Sequence, residues 1–161
     1  MRVLPLAFIL LPLIVGCQYD PYAHLFTTEK PQSADVVGRY SLTKQTVVAG
    51  GLSAMKGQSC CVELRADGTF TAANVPPWDG DSPGTTFFDE LRSGTGTWRI
   101  DNVGSVDDGH GPLKTHWGIH LDVDSHVRLR SAGLTGKKPP YGLIFTLGDP
   151  DSGMVMILER N

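Results

Sequence analysis

The stretch CVELRADGTFTAANV, residues 61–75, decides how the rest of the chain is read. Val62 and Leu64 alternate with Glu63 and Arg65, Asp67-Gly68 supplies residues that tolerate a tight reversal, and Phe70 and Ala72 resume the apolar face. A period of two on both sides of an Asp-Gly turn predicts an antiparallel hairpin with one dry and one wet side. The same grammar recurs in both directions. Toward the N-terminus, Gly38, Tyr40 and Leu42 alternate with Arg39, Ser41 and Thr43. Toward the C-terminus, GTWRI (96–100) sets Trp98 and Ile100 against Thr97 and Arg99. THWGIHLDVD (115–124) sets Trp117, Ile119, Leu121 and Val123 against His116, His120, Asp122 and Asp124. HVRLR (126–130) repeats this with Val127 and Leu129, and YGLIFTL (141–147) with Tyr141, Leu143, Phe145 and Leu147. The turn residues GDPDSG (148–153) lead to a last strand over residues 154–160. The count is about eight antiparallel strands, with at most one short helix near residues 87–91. The fold class is all-β. A meander with a one-sided apolar pattern closes into a single up-and-down barrel and so removes its edges, and a two-sheet sandwich is the alternative.

The N-terminus carries a different signal. Arg2 precedes an uncharged, mostly aliphatic run over residues 3–15, interrupted by Pro5 and Pro12, which has the form of a signal-peptide h-region. It stops well short of the about 20 apolar residues needed to span a bilayer. Its end, Ile14-Val15-Gly16-Cys17, resembles the lipobox of bacterial lipoproteins. That resemblance implies cleavage before Cys17, acylation (palmitate or similar) of Cys17, and attachment to a membrane by several acyl chains. Each buried methylene contributes about 0.8 kcal/mol to such an anchor. In Gram-negative lipoproteins an Asp after the cysteine marks inner-membrane retention. Gln18 stands there, so the resemblance implies the outer membrane, facing the periplasm. Residues 1–16 therefore read as signal peptide, 17–34 as a lipidated N-terminus and polar tether in which AHLF (23–26) is able to dock, and 35–161 as the barrel domain.

The order VVGRY, a DGTF hairpin, SGTGTW and a final strand ending in Arg is similar to small bacterial lipocalin-like domains. The resemblance implies a barrel whose inward Tyr40, Phe70, Trp98, Trp117 and Phe145 line a cup for a small apolar ligand. In the alternative, those side chains fill the barrel and the outer loops bind a periplasmic protein. SGTG (93–96) is similar to the loop motif of lysozyme-inhibitor lipoproteins, which implies an inhibitor or immunity-type role against a hydrolase or toxin. That family's motif ends in Tyr, whereas Trp98 here belongs to a strand's inner face.

The remaining chemistry-bearing residues point away from catalysis. A formal net charge of -3 gives no basic field for nucleic acid, and Lys137-Lys138 before Pro139-Pro140 reads as a solvated turn. His116 and His120 on one strand stand about 13 Å apart, too far for one zinc with bonds of ~2.0–2.1 Å. Consecutive Cys60 and Cys61, about 3.8 Å apart at Cα, are closer than the roughly 4.4–6.8 Å that disulfides prefer. Cys60 is expected in the core and Cys61 outside, and a strained vicinal disulfide acting as a redox switch is the alternative. Residues 79–90, DGDSPGTTFFDE, have the acid spacing of a calcium loop, but Pro83 takes a ligand position and no helices flank the segment. Asp101, Asp107 and Asp108 read as solvated charge. With no GxSxG, HExxH or P-loop, the expectation is a binding protein without cofactor or metal, not an enzyme.

Overall fold

The 61–75 hairpin forms, and its turn is one residue longer than Asp-Gly. In the computed structural model, which describes residues 20–46, 59–75, 91–106, 112–123, 131–146 and 153–161, β2 (Cys61–Leu64) pairs with β3 (Thr69–Val75), Leu64 opposite Phe70. The Gly68 N–H donates to the Arg65 carbonyl at 3.1 Å, and Gly68 sits at φ +81°, where a side chain would be strained. The Asp67 carboxylate accepts from both the hydroxyl and the backbone N–H of Thr69. These bonds, the hydroxyl's first, hold its carboxyl below the usual carboxylate range. The loop is thus Ala66-Asp67-Gly68, with glycine in the left-handed position that three-residue hairpins use.

From this hairpin the sheet closes. β1 (Gly38–Thr46), β2, β3, β4 (Arg92–Val106), β5 (Lys114–Val123), β6 (Ser131–Thr135), β7 (Gly142–Thr146) and β8 (Val155–Arg160) follow one another around a closed antiparallel barrel, β1 pairing with both β2 and β8. The up-and-down barrel is therefore the architecture, and the sandwich is not. The strand expected at 126–130 and the helix expected near 87–91 fall outside the described residues, apart from Leu91, which is in neither helix nor strand. The described β6 is instead Ser-Ala-Gly-Leu-Thr, a run too poor in large apolar side chains to announce itself as a strand.

Inward side chains from around the barrel, Tyr40, Val62, Phe70, Ile119, Leu134, Phe145 and Leu158 among them, form one buried cluster. Cys60 lies in it beside Val62 and Leu64, Cys61 is half-buried, and both thiols are free. Burial, and then the neighbouring Cys61, push the Cys60 thiol up to about 12. One end of the barrel is stoppered by α1 (Ser33–Val36), whose Val36 belongs to the same cluster. The Tyr40 hydroxyl donates to the Val36 carbonyl, and the Arg160 guanidinium donates to the Asp35 carbonyl at 2.8 Å. Burial raises the Tyr40 phenol to about 12 against the opposing pull of Arg160.

The stretch that composition marks as a tether is, from Asp20 on, a strap laid on the barrel. Tyr22, Leu25 and Phe26, around a 3₁₀ turn at Ala23–Leu25, cover a second buried cluster of Ile144, Val155 and Ile157 on the outer wall. The ladder between β5 and β6 runs only from His120 opposite Ser131 to Gly118 opposite Gly133. Beyond it the two strands splay and Thr27 takes the gap: its N–H donates to the Leu134 carbonyl and its carbonyl accepts from the Trp117 N–H, each at 2.8 Å. The chain crosses the wall there, from the outer surface at Phe26 to the stopper at Val36. Gly133 makes this possible, because a Cβ at that position would collide with the Phe26 ring.

Candidate functional site

The aromatic residues proposed to line an internal cup do not share one environment. Tyr40, Phe70 and Phe145 are fully buried in the core cluster. Trp98 belongs to it as well, and it clamps the hairpin turn: its N–H donates to the Gly68 carbonyl at 2.7 Å and its indole Nε1–H to the Arg65 carbonyl at 2.9 Å. Trp117 stands apart, half-buried, with the Lys30 ammonium 5.0 Å from its ring centre.

β5 departs from its alternation. Alternation places Trp117 in the core and His116 in solvent, yet His116 is only 6% exposed. Both departures have one cause. Trp117 lies past the last rung joining β5 to β6, and the strap lies over the outer wall, where Phe26 stacks on the His116 imidazole at 4.5 Å with 7° between the rings. His116 Nε2 is buried and has no hydrogen-bond partner among the described residues. Burial lowers the His116 pKa, with the Asp20 carboxylate pulling the other way. The ring is therefore neutral at pH 7, and a neutral imidazole nitrogen donates or accepts according to tautomer. His120, by contrast, belongs to an exposed ladder: its Nε2 is 3.2 Å from Asp122, which also accepts from Arg99 at 2.8 Å, while Arg99 reaches Asp101 at 3.2 Å. The acidic loop 79–90, Asp107, Asp108, His110, His126 and Cys17 lie outside the described residues.

Two clefts flank the Phe26–His116 stack. The larger, about 610 Å³, is walled by the strap from Ala23 to Glu29, by the ends of β4 and β5 at Val106, Lys114 and His116, and by Gly136 and Lys137 of the β6–β7 turn. The smaller, about 350 Å³, runs from Asp20 past residues 103–106 of β4 to Ser131, Ile144 and Thr146. Phe26, Val106 and His116 line both. Strap position and β4–β5 length together create this groove, since β4 and β5 stay paired as far as Val106 and Lys114 while β6 leaves β5 at Gly118. A period of two sorts inside from outside and carries no information on what covers the outside, so these residues go unmarked in the sequence. A signal was present nonetheless: Leu143-Ile144-Phe145 and Val155-Met156-Ile157-Leu158 are apolar without alternation, the mark of strands covered on both faces. Comparison of the chain with protein-family models, with curated proteins and with solved structures finds no match.

Proposed function

We propose that the chain is a lipoprotein of the bacterial cell envelope, anchored through acylated Cys17, whose barrel is a non-catalytic binding module that holds a small apolar ligand or envelope component on its outer wall. The short apolar run ending in Ile14-Val15-Gly16-Cys17 supports the anchor, and Gln18 supports an outer-membrane, periplasm-facing location. One observation carries the choice of surface. Tyr40, Phe70 and Phe145, the side chains that would have lined an internal cup, are buried in a common core, whereas two clefts of ligand size among the described residues lie between the strap and the wall. The barrel in this reading is a rigid frame, and the strap completes the site.

The anchor is tested directly. Cys17→Ala is expected to remove the acyl mass from the intact protein and shift it from the membrane pellet to the soluble fraction, with the far-ultraviolet circular dichroism of the barrel unchanged. A Cys17→Ala protein that is still processed and still pellets with membranes overturns the lipoprotein reading.

A further inference from the structure

We infer that the barrel meets the membrane by one rim, at Asp20, Pro21, Ser131, Thr146 and Gly153, and that the end stoppered by α1 is held away from the lipid. The inference rests on acylation of Cys17 and adds to it a surface and a partner, the headgroup layer in which that anchor sits. The strap carries the argument. Were the chain a loose tether from Cys17 to Ser33, sixteen positions apart, its ends would stand about 20–24 Å apart on average and the barrel would present any face to the bilayer. Instead the chain is already on the barrel at Asp20. The Asp20 carboxylate accepts from the Tyr22 N–H at 2.8 Å and its carbonyl from the Ala23 N–H at 3.1 Å, while Tyr22 packs on the cluster of Ile144, Val155 and Ile157. Cys17 and Asp20 are three positions apart, so by whatever path residues 18 and 19 run, Asp20 stays within about 11 Å of the acylated residue.

The landing point of the strap then decides which end is near. Pro21 lies 3.5 Å from the place that a Cβ on Gly153 would take, just ahead of β8. Asp20 shares the smaller cleft with Ser131, the first residue of β6, and Thr146, the last of β7, which pairs with Val155 at the start of β8. All of these stand at one end of the barrel. From there the strap descends the wall, past the Leu25 carbonyl bonded to Gly136 and Thr27 bonded to Leu134, to α1 at the other end, beside Gly38, Leu64 and Arg160. The ten residues of β5, at ~3.3 Å each and tilted by ~40°, set a height of about 20–25 Å between the two ends. Turning the α1 end to the lipid would lift Asp20 by that height, about twice what the link to Cys17 reaches. So short a link also keeps the rim at high effective concentration against the headgroups, and the rim needs no strong affinity of its own.

The test uses the full-length protein, expressed with lipoprotein processing, in phosphatidylcholine nanodiscs doped with a lipid whose headgroup chelates gadolinium, and the same nanodiscs carrying diamagnetic lutetium as reference. Paramagnetic relaxation enhancement is read at the amides of Ser131, Thr146 and Gly153 and at those of Gly38, Gly68 and Gly136 at the far end. The expected result is an enhancement at least fivefold greater at the first three. Equal enhancement at both ends, or a greater one at Gly38, Gly68 and Gly136, overturns the placement. A flexible Gly-Ser spacer of about twelve residues inserted between Gln18 and Tyr19 lengthens the link to about the height of the barrel without touching the fold, and is expected to bring the ratio below about two. A ratio unchanged by the spacer overturns the short link as its cause. Intact mass of the same preparation reports acylation at Cys17. An acylated protein with equal enhancement at both ends rejects this placement alone, and a protein without acyl mass at Cys17 rejects the lipoprotein reading and the placement with it.

Discussion

His116 shows how one side chain records the arrangement around it. Its pKa is lowered by burial under Phe26, from an ordinary value of 6.5. Below pH 6.5 the unfolded chain therefore takes up a proton that the folded one resists, and between the two pKa values stability rises with pH. The contribution of the neutral ring is complete above 6.5 and is lost as pH falls toward the lowered value. Urea midpoints measured at pH 7.5 and pH 5 are expected to show a smaller drop in His116→Phe, which keeps a ring against Phe26 and cannot take up the proton, than in the parent. An identical drop in both proteins would contradict the buried, neutral imidazole. The sequence names the strand and the face on which His116 lies, because THWGIHLDVD alternates cleanly. It does not name the burial, because that depends on Phe26, ninety residues upstream by simple subtraction of the two positions, and no local period links them.

Among the elements, the hairpin of β2 and β3 is legible because everything that specifies it is local: alternation, an Asp that caps its own turn, and a Gly for the left-handed position. The strap is the opposite case. Residues 20–36 carry Pro, Glu, Lys and Ser in a pattern that composition assigns to a tether, and only the wall beneath them shows why they stay down. The two kinds of glycine contact separate strap from barrel experimentally. A Cβ at Gly133 meets the Phe26 ring, which is able to move away, whereas a Cβ at Gly118 meets the Ala132 carbonyl of the neighbouring strand. Gly133→Ala is expected to speed amide hydrogen exchange at residues 22–28 and leave β1–β4 protected. Gly118→Ala is expected to destabilise the whole barrel, by more than about 2 kcal/mol. Unchanged exchange of residues 22–28 in Gly133→Ala would show that the strap is not held by this contact.

At the scale of the molecule, strand number, closure and the identity of most inward residues follow from a one-sided pattern repeated along the chain. Whether the barrel is hollow does not follow, because alternation says which side chains point inward and nothing about the space left between them. Tyr40, Phe70, Phe145, Leu134, Leu143 and Leu158 are all essentially without exposed surface, which supports a filled interior. In the proposed function the interior is a packed core and the ligand site lies outside it, beneath the strap. Urea unfolding of Phe145→Ala tests it most directly. A packed core leaves a cavity when the ring is removed, and the expected loss is about 3 to 5 kcal/mol with an unchanged dependence on urea. A loss below about 1 kcal/mol would mean that Phe145 faced open space all along, and the site would then have to be sought inside the barrel.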